Sequence, residues 1–188
     1  MAKPSDTRER ILSAARELFT KRGVQQTSLR DIAEHLGVTK PALYYHFESR
    51  EALLASLVQP LIDDCEAFMA ERAGSGPVEI RALLSDYFDL LYRHRVLLTL
   101  LVRDLSTLGA LDLVPRLLEW RQRLTVLLLG SRAPLAERVR ATVAIGGLSD
   151  CIVEMPHEPP EKVKIYAVEA ACAALQSPRA LTPARARR

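Results

Sequence analysis

The densest group of side chains able to do chemistry lies between residues 27 and 50. Thr27, Ser28 and Arg30 come first, then Thr39, Lys40, Pro41, Ala42, Tyr44, Tyr45 and His46, and finally Arg50. Hydroxyls, cations and the free N–H groups of a helix start all suit a phosphate. Tyrosine adds a hydroxyl on a rigid apolar ring, and Pro41 and Ala42 offer the kind of surface that meets a thymine methyl. The chemistry expected of this group is non-covalent recognition of double-stranded DNA.

Such side chains work only if an element carries them into a groove. The turn Leu36-Gly37-Val38 has a short helical pattern on each side. Two helices crossing steeply with almost no loop need a small residue where they touch and a glycine at the turn, and Ala33 and Gly37 have that spacing. Ile32, Leu36, Val38, Leu43 and Phe47 form the apolar plug behind them. A wheel centred on Leu43 and Phe47 turns Pro41, Ala42 and Tyr45 furthest outward, with Thr39 and Lys40 at the first turn and Tyr44 and His46 flanking. The pattern reads as a helix-turn-helix. Ala, Gly and Leu at these positions also occur in ordinary helical hairpins, and paired tyrosines in half-buried packing, so spacing alone leaves both uses open.

The surrounding sequence is helical throughout. The stripe Ile11, Ala15, Leu18 and Phe19 predicts a helix over about 6–22, entered through Asp6 and Glu9 and stopped by Gly23. Ser28 and Thr39 are predicted caps, and Pro41 sits in a first turn where its missing N–H is harmless. Ser49 caps a fourth helix to about Arg72. Beyond the linker signal Gly74-Ser75-Gly76-Pro77, helices are predicted at about 78–93, 95–107, 112–129, 134–156 and 159–175. Ser177 onward is rich in Pro, Ala and Arg and is expected to be disordered. Alternating Val/Ile/Thr runs are absent.

The 188 residues are 48% hydrophobic, enough for a real core. No apolar run approaches the roughly 20 residues of a membrane span, and the N-terminus lacks a signal pattern. Three separated cysteines fit a reducing cytoplasm, and neither they nor the four histidines have metal-ligand spacing. Gly-rich phosphate loops, HExxH and CxxC are missing, and Gly146-Gly147-Leu148-Ser149 lacks the closing glycine of a nucleophile elbow. No enzyme, catalytic residue, metal or cofactor is expected. Residues 1–50 hold nine Lys/Arg against six Asp/Glu, residues 51–176 thirteen against seventeen, and the last twelve residues four Arg and no acid. A basic front on an acidic body is compatible with phosphate contact.

The body offers weaker signals. Pro60 falls inside the fourth helix pattern and predicts a bend, either following the core or serving as a pivot. Phe88, Tyr92 and Trp120 are candidates to line a ligand pocket, or are plain core. Thr99, Arg103 and Asp104 interrupt an apolar run and are candidates to orient a ligand. The alternative is an Arg103 in solvent and an Asp104 paired with a neighbouring arginine. The last two helices are rich in small residues, among them Val143, Gly146, Gly147, Ala167, Ala170, Ala171 and Ala174, which suit close helix–helix contact within or between chains.

Residues 6–55 resemble the DNA-binding head of TetR-family transcriptional regulators. The resemblance rests on Thr27-Ser28-Leu29-Arg30-Asp31-Ile32-Ala33, on Gly37 through Phe47, and on Ser49-Arg50-Glu51-Ala52-Leu53. It covers about a quarter of the chain. It implies an all-α protein of about nine helices. A three-helix helix-turn-helix head at 1–52 would precede an effector-binding and dimerisation body at 53–176 and a basic tail at 177–188. It further implies a cytoplasmic homodimer, usually a repressor, bound to palindromic operator DNA and released by a small-molecule effector. The residues matching Thr27, Thr39, Lys40, Tyr44, Tyr45 and His46 would touch DNA, and the last two long helices would pair across a two-fold axis. Pro41 stands where many members carry glycine, and Arg50 replaces a common lysine. A DNA-architectural protein without an effector is the alternative.

Overall fold

A computed structural model describes residues 4–73, 78–104, 107, 109 and 111–176. The proposed linker at 74–77 and tail at 177–188 lie outside them. Among the described residues every regular element is a helix: α1 (Pro4–Arg22), α2 (Leu29–Leu36), α3 (Lys40–His46), α4 (Arg50–Arg72), α5 (Ile80–Arg93), α6 (Arg95–Arg103), α7 (Leu113–Leu129), α8 (Leu135–Glu154) and α9 (Pro160–Gln176). The all-α expectation holds, and most boundaries fall within two residues of the periodicity. No helix among the described residues is long and apolar enough to cross a membrane.

Local chemistry explains the breaks. Gly23 ends α1 at φ +86°, its N–H bonded to the Phe19 carbonyl at 2.9 Å. Ser49 starts α4 by accepting the Ala52 N–H at 3.0 Å. Pro60 stands within α4, exposed, and the helix continues to Arg72. At the junction of α5 and α6, His94 Nε2 lies 2.8 Å from Asp64 Oδ2. The His94 side chain is only 13% exposed.

The chain forms two compact units, residues 1–76 with 89–124, and residues 77–88 with 125–188. In the first, Ile11, Ala15, Leu18 and Phe19 of α1 meet Leu29, Ile32 and Ala33 of α2, Leu43 of α3, Phe47, and Leu53, Leu54 and Leu57 of α4. Each large side chain so buried contributes about 1.5–3 kcal/mol. Leu100 of α6 joins the same core, a long-range contact that no local pattern announces. In the second unit α8 and α9 pack on each other, burying Ala141, Ala144, Ile145 and Leu148 on one side and Val163, Ala167, Val168 and Ala171 on the other.

Candidate nucleic-acid interface

The turn between α2 and α3 is closed by backbone chemistry that glycine permits. Gly37 sits at φ +65°, ψ 29°. Its N–H reaches the Glu34 carbonyl at 3.2 Å, and the Val38 N–H reaches the Ala33 carbonyl at 3.0 Å. These paired bonds satisfy the last carbonyls of α2 and turn the chain directly into α3. Thr39 then caps α3, its hydroxyl oxygen accepting the Ala42 N–H at 3.3 Å.

Leu43 is fully buried at 0% exposure and Phe47 is buried beside it. That anchoring fixes which face of α3 looks outward. Lys40, Pro41, Ala42 and Tyr44 are exposed, and Tyr45 reaches 83%. The rings of Tyr45 and His46 meet edge to face at 5.3 Å. A large aromatic so exposed, on a short helix anchored by a buried leucine, is suited to a surface outside the chain.

Beside α3 lies an open groove of about 610 Å³. Residues Gln25 to Asp31 line one wall, Lys40 and Tyr44 another, and Glu48, Ser49 and Arg50 a third. The start of α2 is tightly organised there. Asp31 accepts the Ser28 N–H at 2.8 Å and the Ser28 hydroxyl at 2.5 Å, while Ser28 Oγ accepts the Asp31 N–H at 3.2 Å. The Ser28 bonds hold the Asp31 carboxyl below the usual carboxylate range. The groove therefore combines cations and hydroxyls with two carboxylates, an exposed Glu48 and an Asp31 already bonded to its own cap.

The expected contact residues do not all behave alike. Thr27 is 1% exposed, and its hydroxyl donates to the Gly23 carbonyl at 2.9 Å. That bond ties the side chain to the α1–α2 turn at the edge of the groove. Arg30 is exposed and pairs with Glu34 at 2.6 Å. Arg50 lines the groove and donates to the Val24 carbonyl at 3.3 Å and to Gln25 Oε1 at 3.4 Å. Sequence reasoning missed Gln25, which carries no motif of its own, and Arg8. The Arg8 guanidinium stacks 5.2 Å from the Phe47 ring centre and donates to Ser56 Oγ at 2.9 Å, tying α1 to α4.

The ligand candidates are placed mainly in internal contacts. Phe88, in the second unit, is buried. In the first unit, the Trp120 indole donates to Glu66 Oε1 at 2.6 Å, and Arg123 reaches Glu66 Oε2 at 2.9 Å. Tyr92 is half-buried under the Arg95 guanidinium at 4.6 Å. Thr99 donates to the Arg95 carbonyl, Arg103 is exposed, and Asp104 accepts from Gln25 and Thr107. Of the small-residue set, Ala167 and Ala171 are buried in the packing of α8 on α9, while Val143, Gly147 and Ala170 are exposed and Gly146 and Ala174 half-buried. Val139, from the same stretch of α8, is exposed too, as are Leu135, Ile165 and Tyr166, which were not anticipated. Among the described residues no group of three or more His, Cys, Asp or Glu side chains could hold a metal ion.

Residues 11–57 match the family model of bacterial regulatory proteins, tetR family. The HTH-type transcriptional regulator TtgR of Pseudomonas putida is 50% identical over 58 residues, 31% of this chain and 26% of that protein. The matched stretch thus spans about a quarter of that curated relative. Over most of the chain the fold is shared with solved structures. A TetR-like transcriptional regulator from Rhodococcus sp. RHA1 superposes with a TM-score of 0.72 at 21% identity, covering 93% of this chain and 98% of its own. SmeT, solved as a complex with triclosan, gives 0.65 at 20%, covering 93% and 99%. Over its N-terminal head, residues 11–57, the chain is thus similar to the tetR family of bacterial regulatory proteins.

Proposed function

We propose that this protein is a sequence-specific DNA-binding transcriptional regulator, a repressor that acts as a homodimer on a palindromic operator and leaves it when a small molecule binds. The observation that carries this is the outward face of α3. Lys40, Pro41, Ala42, Tyr44 and Tyr45 are exposed on a helix pinned by buried Leu43, beside a groove lined by Ser28, Lys40 and Arg50. Lys40, Tyr44 and Arg50 would hold phosphates, and Pro41, Ala42, Tyr45 and His46 would meet base edges.

The homodimer is supported by the apolar face of the second unit. Leu135, Val139 and Val143 recur at four-residue spacing on α8, and Ile165 and Tyr166 are exposed on α9. A second copy would cover them, and two heads would then read half-sites roughly 34–36 Å apart. On this proposal residues 1–52 form the DNA-binding head and 53–176 the effector and dimerisation body. The effector arm draws on the family resemblance and on SmeT, a fold neighbour solved with triclosan. A role on DNA places the protein in the cytoplasm and requires no catalytic residue or cofactor.

The experiment is selection of duplexes by the purified protein from a random-sequence library, followed by sequencing. An inverted repeat with half-sites about one helical turn apart is expected. Enrichment of no sequence, with strongly salt-dependent binding, would replace the regulator with an architectural DNA-binding protein.

A further inference from the structure

Arg50 does not project freely into the groove. Its Nη1 donates to the Val24 carbonyl at 3.3 Å and its Nη2 to Gln25 Oε1 at 3.4 Å, while Glu51 lies 3.9 Å from Nε. The same Gln25 amide donates from Nε2 to Asp104 Oδ2 at 3.1 Å. An amide can be drawn either way round, but only one orientation satisfies both neighbours. Reversed, its NH2 would face a guanidinium that only donates and its oxygen a carboxylate that only accepts. Asp104 therefore selects the orientation in which Gln25 receives Arg50.

Asp104 is itself held. It follows α6, with its N–H on the Leu100 carbonyl at 3.1 Å, and its carboxylate accepts the buried Thr107 hydroxyl at 3.0 Å and the Thr107 N–H at 3.4 Å. Leu100 is part of the core beneath the helix-turn-helix. All of these residues belong to the first compact unit. A rigid element far along the sequence thus ends on the side chain that orients a groove cation.

We propose that Gln25 and Asp104 are positioning residues for DNA binding, holding the Arg50 guanidinium in the groove ready to receive a backbone phosphate. The inference rests on the DNA-binding role proposed above. A long cation fixed before its partner arrives loses less freedom on binding, and its two-pronged geometry is kept. Neither Gln25 nor Asp104 need touch DNA.

The test uses the full chain and a fluorescein-labelled duplex recovered by the protein's own library selection, titrated over a range of salt concentrations. Gln25→Met and Asp104→Ala are each expected to weaken binding about three- to tenfold, the range for loss of one ordinary hydrogen bond, since those bonds are long. The slope of log affinity against log salt should fall toward that of Arg50→Ala. In the Arg50→Ala background the same two changes should cost less than about twofold, because coupled residues are not additive. Thr107→Val, which loosens Asp104 but leaves its carboxylate within reach of Gln25, should weaken binding by less than Asp104→Ala does. Undiminished losses without Arg50, no loss in either variant, or a Thr107→Val loss equal to that of Asp104→Ala would each overturn the positioning role. A wild-type chain that selects and binds no duplex would instead overturn the DNA-binding role, and the positioning role with it.

Discussion

The Trp120 indole N–H donates to Glu66 Oε1 at 2.6 Å, joining α7 to α4 across 54 residues of sequence. The same carboxylate accepts from Arg123 at 2.9 Å. Trp120 hydrogen bonding, followed by that of Arg123, holds the Glu66 carboxyl below the usual glutamate range. A carboxylate whose folded pKa is depressed stabilises the fold above its unfolded pKa, and that contribution is lost as pH falls through the folded pKa. Glu66→Gln should therefore cost about 1 kcal/mol near neutrality, the lower end for a charged hydrogen bond because the group is half exposed. The difference should shrink below about pH 4, as both proteins come to carry a neutral side chain. Urea unfolding of the two proteins across that range checks it; a difference independent of pH would mean that the charge of Glu66 is irrelevant.

Leu43 and Tyr45 are two residues apart on α3 and lie in opposite environments, one at 0% exposure and the other at 83%. Leu43→Ala should remove about 2–5 kcal/mol of stability by leaving a cavity in the core of the first unit. Tyr45→Ala should leave the melting temperature within a few degrees, as exposed substitutions do, and reduce affinity for the selected duplex at least about tenfold, the lower range for an interface aromatic. Melting curves and DNA titrations on both variants give the answer. A destabilised Tyr45→Ala protein would place that ring in the core.

The head was legible in the sequence because its constraints are local. Gly37, Ser28 and Thr39 act on backbone groups within a few residues of themselves, so spacing alone reveals them. The apolar face of α3 was equally legible, since Leu43 and Phe47 repeat at helical spacing. The Thr27 hydroxyl turns back to a carbonyl four residues earlier, a bond the sequence did not announce, because residue type cannot show which way a hydroxyl points. Trp120 and Asp104 resisted for another reason. Their partners, Glu66 and Gln25, lie 54 and 79 residues away, and only the packed chain brings them together. In α8 and α9 the small residues marked helix contact, but Ala167 and Ala171 face inward while Val143 and Ala170 face out. Composition could not separate these two faces, since both are apolar.

Gly37 adopts φ +65°, and a Cβ built on it meets nothing within 4 Å. The cost of replacing it is therefore backbone strain without a steric clash. Gly37→Ala should destabilise the protein by about 1–2 kcal/mol, the usual penalty for a left-handed alanine. Gly37→Asn should cost less, because asparagine tolerates this region better. Chemical denaturation of both variants ranks them, and equal costs would argue that the turn relaxes to another conformation.

Val143 is 62% exposed in the middle of α8, with Val139 and Leu135 on the same exposed face. In a lone chain an aspartate there would be solvated and harmless. Against a second copy it would be buried twice, without a partner. Val143→Asp should leave helical content unchanged and weaken self-association at least about a hundredfold, in keeping with the cost of an uncompensated buried charge. Sedimentation measured over a concentration series reads this directly. A variant that associates as tightly as the parent would move the dimer interface elsewhere.

Lys40 is exposed at the first turn of α3 and lines the same groove as Ser28 and Arg50. From this place its ammonium would act as a point charge on a phosphate and would not read a base. Its removal should therefore weaken every duplex by a similar factor. With one phosphate fewer neutralised, the slope of log affinity against log salt falls by about 0.9. Lys40→Ala should accordingly flatten the slope by about one while preserving the ranking of duplexes, whereas Tyr45→Ala should alter that ranking. Titrating both variants against the selected sequence and a scrambled duplex at several salt concentrations separates the two roles. If Lys40→Ala changes the ranking and leaves the slope alone, then Lys40 contacts a base, and α3 enters the groove by its N-terminal end.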